Sequence, residues 1–283
     1  MTASVARLAN GRLHLQDGPI DLIIHAEGHG TAEAERAATE AFNGLLAGLV
    51  RELPTLRRAM GKTPPTVRHP IATRMVEAVW PHRGVFVTPM AAVAGAVADH
   101  ILAVMVAAAP TLTKAWVNDG GDIALHLTAD AAFEIGLVPR VDAPALAGTA
   151  TVRASDPVRG VATSGRGGRS LSLGIADAVT VLARTAAEAD VAATLIANAV
   201  DLPSHPNVTR GPASAEDLDS DLGDRPVVLA VGALTDDEAK RALKRGAEVA
   251  TRMQAAGLIQ GAALSLIGHW RVAGISVSGL ILG

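Results

Sequence analysis

The sequence predicts a single α+β domain spanning residues 1 to 283, and three observations lead there. Strand-like segments of period near two often follow one another directly, instead of alternating strictly with helices. Several stretches carry helical period, and one of them, VFVTPMAAVAGAVADHILAVMVAAAP at 85 to 110, is almost wholly apolar. The 283 residues contain no internal repeat and suffice for one large core. Lys and Arg total 25 against 28 Asp and Glu, a net charge of -3, so no overall field draws nucleic acid or an acidic membrane surface. No nucleic-acid partner is expected. The chain has no cysteine, which removes disulfides and thiolate chemistry. Asp99 and His100 interrupt the long apolar stretch at its centre, so a buried helix is expected there and no membrane span. The first residues hold no apolar run of signal-peptide length, and a cytoplasmic protein is the expectation.

The elements follow in order. LHLQDGPIDLIIHAEG (13 to 28) reads as a hairpin turning at Asp17-Gly18. A helical stretch begins near Thr31, with Thr31 as N-cap and Glu33 and Glu35 in the first turn, and ends near Pro54. GKTPPTVRHP (61 to 70) is a proline-rich connector. A helix over 71 to 80, a short strand at 84 to 88 and the buried helix at 90 to 109 come next. Strands are predicted at 116 to 127, 132 to 139, 149 to 154, 158 to 162 and 176 to 182, and a helix from 186 to 200. The acidic, proline- and glycine-rich stretch at 202 to 225 reads as a flexible excursion. A strand at 226 to 231, a helix from 235 to 256 opening on Thr235, Asp236 and Asp237, and apolar stretches at 262 to 267 and 270 to 277 complete the pattern.

Three constellations carry chemistry. On the helix ADVAATLIANAV, Asp190, Thr194 and Asn198 stand four residues apart and therefore on one face. A carboxylate and a hydroxyl one turn apart suit a hard cation such as Mg²⁺; the same spacing also fits a capping Asp followed by polar residues satisfied within the core. On the apolar helix at 90 to 109, Gly95 suggests close approach of a backbone or ligand. Asp99, one turn on, must be paired, hydrogen-bonded or protonated unless it lies at an exposed edge. The third is a pair of glycine-bearing loops. Asn118-Asp119-Gly120-Gly121-Asp122 is a tight-turn sequence that needs no ligand. GVATSGRGGRSLSLG (160 to 174) packs five glycines, four hydroxyls and two arginines, with Thr163, Ser164, Gly165, Arg166 and Arg169 at its centre. Converging N–H groups, hydroxyls and guanidinium charge suit a phosphate or carboxylate, while a plain solvated loop would show the same composition.

The order MAAVAGAVAD (90 to 99), WVNDGGDIAL (116 to 125), FEIGLVP (133 to 139), GVATSG (160 to 165) and AVTVLARTAAEADVAATLIANAV (178 to 200) resembles the ApbE family of flavin transferases, over residues 84 to 200. The resemblance is to an ApbE-like branch in which TSG followed by SLSLGIADAV replaces the parent segment. It implies an α+β fold related to the T-fold, and a flavin nucleotide, FAD or FMN, bound with Mg²⁺. Carried across, Asp190 and Thr194 match the magnesium ligands, with Val93 near the carbonyl ligand. Gly95 and Asp99 match the AKGxxxD motif, Gly120 and Gly121 the glycine pair beside the flavin, and Thr163, Ser164 and Gly165 the TSG turn. The sequence departs from the transferases at Ala94, where they carry lysine, and in lacking their H-I-x-D-P-x-T-G segment.

The expectation is a protein binding a flavin or other phosphorylated heterocycle with Mg²⁺, Arg166 and Arg169 countering phosphate charge. A T-fold-like binding or biosynthetic protein for a pterin-type cofactor is the alternative. A small-molecule ligand is the expected partner, and the apolar helices leave room for a homo-oligomer.

Overall fold

A computed structural model describes residues 3–128, 130–138, 148–168 and 170–274, and the backbone of 281–282. The chain is mixed α+β. Its strands are β1 (Ser4–Arg7), β2 (Leu13–Asp17), β3 (Ile20–Gly28), β4 (Leu112–Asp119), β5 (Asp122–Leu127), β6 (Ala132–Leu137), β7 (Gly148–Arg153), β8 (Gly160–Ser164), β9 (Ala178–Ala183), β10 (Val208–Pro212), β11 (Pro226–Val231), β12 (Gly261–Leu266), β13 (His269–Ala273) and the two-residue β14 (Ile281–Leu282). Its helices are α1 (Thr31–Phe42), α2 (Leu45–Val50), α3 (Leu53–Leu56), α4 (Pro70–Val79), α5 (Val93–Ala108), α6 (Ala186–Ala199), α7 (Ala213–Glu216) and α8 (Asp236–Ala255).

Two compact units are built from these elements, the first from Met1–Ala132, Arg153–Ala162 and Ala183–Val191. In it β1, β2, β3, β4, β5 and β8 pair side by side, each neighbour antiparallel. Burial alternates along β3, so Ile20, Leu22 and Ile24 face the core while their neighbours turn outward. The hairpin at 13 to 28 is present, but Asp17 pairs with Ile20, which shifts the two-residue loop to Gly18-Pro19. Gly18 sits at φ +57, and glycine at the first central position followed by a proline locked at negative φ is the chemistry of a type II′ turn. Helix α5 packs on β4 and β5 and against α1 and α4. With the segment before it, it forms the one described helix, Pro89–Ala108, long and apolar enough by length and composition to cross a membrane; 44% of its apolar window is buried in the fold.

The second unit comprises Phe133–Val152, Thr163–Leu182 and Ala192–Gly283. Strand β12 pairs antiparallel with β9 and β13, and α8 packs on β12 and β13. Both β9 and β12 are buried at every position, which explains their continuous apolar runs. Thr235 and Glu238 close a reciprocal capping box at the start of α8.

Several expectations change. The helix predicted from Thr31 to Pro54 is three helices, because Gly44 takes φ +76 and breaks the turn. Thr31 is not its N-cap: Gly30 holds that position, and the Thr31 hydroxyl donates back to the Gly28 carbonyl. No strand forms at 84 to 88, where Pro81, Gly84 and Pro89 crowd a short apolar run. The stretch 202 to 225 contains β10, paired with β11, and the one-turn α7; Arg210 ties it down by pairing with Asp201 and donating to the Leu173 carbonyl.

Candidate functional site

In the first unit the geometry centres on α5 and the start of α6. Four N–H groups at a helix start have no partner within the helix. Each of these two helices borrows an acid from the other. Asp99, from the middle of α5, accepts from the N–H groups of Ala186 (3.0 Å) and Ala187 (2.9 Å), the first two residues of α6. Asp190, from α6, accepts from Gly95 N–H (3.1 Å) and from that of Ala94, in the first turn of α5. Gly95 makes the exchange possible, since an added Cβ would overlap the Ala186 carbonyl. The close approach expected at Gly95 is therefore to a backbone, and Asp99 is hydrogen-bonded inside the fold.

Both acids hold their protons more tightly than free carboxyls. Burial pushes Asp99 up, against the pull of its two N–H donors and the Arg74 charge; Glu188 adds to the rise. A small cavity of about 130 Å³ lies on this side, between Arg74, Glu77, Asp99 and Glu188. Asp190 rises further, to about 7, chiefly through burial, and then through the negative charges of Asp119 and Asp99. Part of the Asp190 residue surface still reaches solvent, but the surroundings of the carboxyl are crowded enough that desolvation is the first cause.

Asp119 was legible only as a turn residue. It ends β4, is 4% exposed, accepts from the backbone N–H of Asp21 and stands close enough to Asp190 to raise it. The turn it opens is a tight two-residue loop, as expected: Gly120 (φ +63) and Gly121 (φ +114) both take positive φ, as a type I′ turn requires, and Asn118 accepts from Gly121 N–H at 2.8 Å. This places Gly95, Asp99 and Asp190 in one cluster, with the glycine pair following directly on its Asp119 neighbour.

The second unit arranges the loop after β8 internally. The Thr163 hydroxyl bonds that of Thr180 at 2.9 Å, and Ser172 is buried and bonded across to Gly174. Arg166 donates to one oxygen of Asp177 through Nε (2.9 Å) and Nη2 (2.6 Å), and the other Asp177 oxygen accepts from Ile267 N–H. The guanidinium expected to face an anion is thus already balanced by a carboxylate. Asp177 is the counter-charge that the sequence does not reveal; its position eleven residues after Arg166, across the bend, gives no local sign of it. Gly165 brings the loop against Asp177, whose carbonyl an added Cβ would meet. Ser164 is half-buried beside it. Arg169 lies outside the described residues.

Asp190 and Thr194 lie one turn apart on α6, as the spacing predicts, and Thr194 is half-buried. Asn198, a further turn on, accepts from Leu173 N–H at 3.0 Å and so serves the fold. Among the described residues no group of three or more His, Asp or Glu side chains is arranged to hold a metal ion. One carboxylate and one hydroxyl are hard oxygen donors that would leave most of a cation's shell to water, which suits Mg²⁺ and not Zn²⁺.

A family model described as AbpE bacteria matches residues 5–272. The chain is 39% identical over 114 residues to a UPF0280 protein of Archaeoglobus fulgidus, which covers 40% of this chain and 45% of that protein. It is 42% identical over 146 residues to a UPF0280 protein of Methanopyrus kandleri, covering 50% and 56%. The chain spans about half the length of these curated relatives. Its fold is similar to that of an ApbE protein from Thermotoga maritima, with a TM-score of 0.50 at 11% identity over 96% of this chain and 97% of the other.

Proposed function

The chain belongs to the AbpE bacteria family, and from that premise we propose that it binds a flavin nucleotide, or a related phosphorylated heterocycle, together with Mg²⁺. The observation that carries this reading is the placement of Asp190, bonded to the first turn of α5 with Asp119 and Asp99 close by. A carboxyl raised to about 7 by burial, with Asp119 and Asp99 adding negative charge, is under-compensated at neutral pH, and a divalent cation relieves that imbalance.

Asp190 and Thr194 would hold the cation. Bound there, Mg²⁺ supplies positive charge that polarises a phosphoryl oxygen. Asp99 fixes the first turn of α6 and so the position of Asp190. Gly95 keeps the two helices close enough for Asp190 to reach the α5 N–H groups. Gly120 and Gly121 offer backbone to a planar ring without side-chain obstruction. Within the second unit, Thr163, Ser164, Gly165 and Arg169 are proposed as contacts to a phosphate group, and Arg166, paired with Asp177, as the residue that holds this loop in place. FMN transfer is not part of the proposal, since Ala94 stands where the transferases carry lysine.

The test is FAD binding by fluorescence quenching, with and without Mg²⁺, for the unaltered chain and for Asp190→Asn, with circular dichroism to check folding. Mg²⁺ is expected to tighten FAD binding at least tenfold in the unaltered chain and to have no effect in the variant. Equal FAD affinity with and without Mg²⁺ would overturn the reading and favour a metal-independent, pterin-type ligand.

A further inference from the structure

The first unit also carries a groove of about 620 Å³ that shares no residue with the Asp99–Asp190 cluster. Its walls are the end of α2, the short α3 and the stretch leading into α4. Arg51 and Arg68 line it with Thr55, Thr66, Glu52 and His69.

What matters is how these groups are already engaged. Both Glu52 oxygens point at backbone: Oε1 accepts from His69 N–H (2.7 Å) and Arg68 N–H (3.0 Å), and Oε2 from Arg68 N–H (3.1 Å). The one acid in the groove therefore holds the connector in place instead of pairing with a guanidinium. Neither the Arg51 nor the Arg68 side chain makes a hydrogen bond or ion pair among the described residues, and both are exposed. His69 accepts from Ile71 N–H through Nδ1, which leaves the ring proton on Nε2, and its ring packs where only glycine fits at position 48.

Two histidines report the local field. Burial lowers His69, with the Glu52 charge pulling it back up and the Arg51 charge lowering it; burial likewise lowers His100, with Arg74 and His69 adding to the effect. The start of α4, a ten-residue helix, adds its positive dipole end to the same region. Two guanidinium groups with no ion-pair partner among the described residues thus line a groove that also presents two hydroxyls, while its one carboxylate is engaged by backbone N–H groups.

We infer that this groove binds a phosphomonoester, with the Arg51 and Arg68 guanidinium groups on the phosphoryl oxygens and Thr55 and Thr66 as further donors. Guanidinium forks match phosphate geometry. The groove's volume falls within the roughly 300–1,000 Å³ of small-molecule sites, larger than a bare phosphate needs, so the phosphoryl group is carried on an organic body.

The test is a titration of ¹⁵N-labelled full chain, at fixed ionic strength, with ribose 5-phosphate, inorganic phosphate and ribose. Saturable amide shifts at Thr66, Arg68 and His69 are expected with ribose 5-phosphate, several-fold tighter than with inorganic phosphate, and none with ribose. The double variant Arg51→Gln/Arg68→Gln is expected to keep its spectrum elsewhere and to weaken binding at least tenfold. Shifts no larger than those given by chloride, equal response to ribose, inorganic phosphate binding as tightly as the ester, or undiminished binding in the double variant would each overturn the inference.

Discussion

Replacing Asp99 by alanine tests the exchanged helix starts most directly. The substitution leaves the Ala186 and Ala187 N–H groups, now bonded at 3.0 and 2.9 Å, without an acceptor in a crowded interior. An ordinary N-cap contributes about 1 kcal/mol. A buried donor left unpaired costs about 1–3 kcal/mol. Against this, alanine removes a carboxylate whose burial already works against its charge. Weighing two donors against that relief, Asp99→Ala is expected to lose about 2–4 kcal/mol. The two N–H groups bond different oxygens, so asparagine keeps an acceptor for one and turns its NH2 toward the other, and Asp99→Asn should lose about 1–2 kcal/mol, less than alanine. Urea unfolding at pH 7, compared at unchanged m-value, measures both. Because Asp190 braces the same crossing from the other side, Asp99→Asn and Asp190→Asn should be non-additive by about 0.5–3 kcal/mol in a double-mutant cycle. If alanine costs no more than asparagine, the bonds to α6 do not hold the helix start and the reasoning is wrong.

Gly95→Ala places a methyl on the Ala186 carbonyl and should destabilise by about 1–3 kcal/mol, read by thermal unfolding; a neutral result would mean that the crossing relaxes freely. The carboxyl of Asp190 moves from 3.8 to about 7, so the folded chain retains a proton that the unfolded chain releases. Its contribution to stability is therefore present at low pH and lost as pH rises between those values, and Asp190→Asn should flatten the stability profile there. The proposed Mg²⁺ would compete with the same proton, so its affinity, measured by calorimetry, should climb with pH up to about 7 and then level. Asp177→Ala should cost more than Arg166→Ala in urea unfolding, because the first strands a guanidinium and the Ile267 N–H together, while the second leaves Asp177 one backbone donor.

Much of this fold could be read from the chain because its signals are local. The period-two burial of β3, the Gly120-Gly121 turn and the Thr235–Glu238 box all sit within a few residues of the structure they specify. The breaks were harder. Gly44 ends a helix whose apolar period runs on past it, and β1 is four exposed residues with no pattern to detect. At the candidate site, sequence spacing placed Asp190 and Thr194 on one helix and marked Asp99 as an acid needing a partner. It could not show that the partner was the first turn of another helix, because backbone N–H groups carry no residue identity. Asp177 stayed invisible as the Arg166 counter-charge for a similar reason: the bend that brings them together is set by Gly165 against the Asp177 carbonyl, a contact no local pattern encodes.

The two helices that trade acids are far apart along the chain, and this bears on how the protein assembles. Neither can complete its opening turn while the other is unformed, because the missing acceptor sits halfway along its counterpart. An early fragment ending before residue 186 would hold an apolar helix with a ragged front and a stray charge in its middle. Joining the pair therefore requires a long loop to close, and loosening either end weakens both.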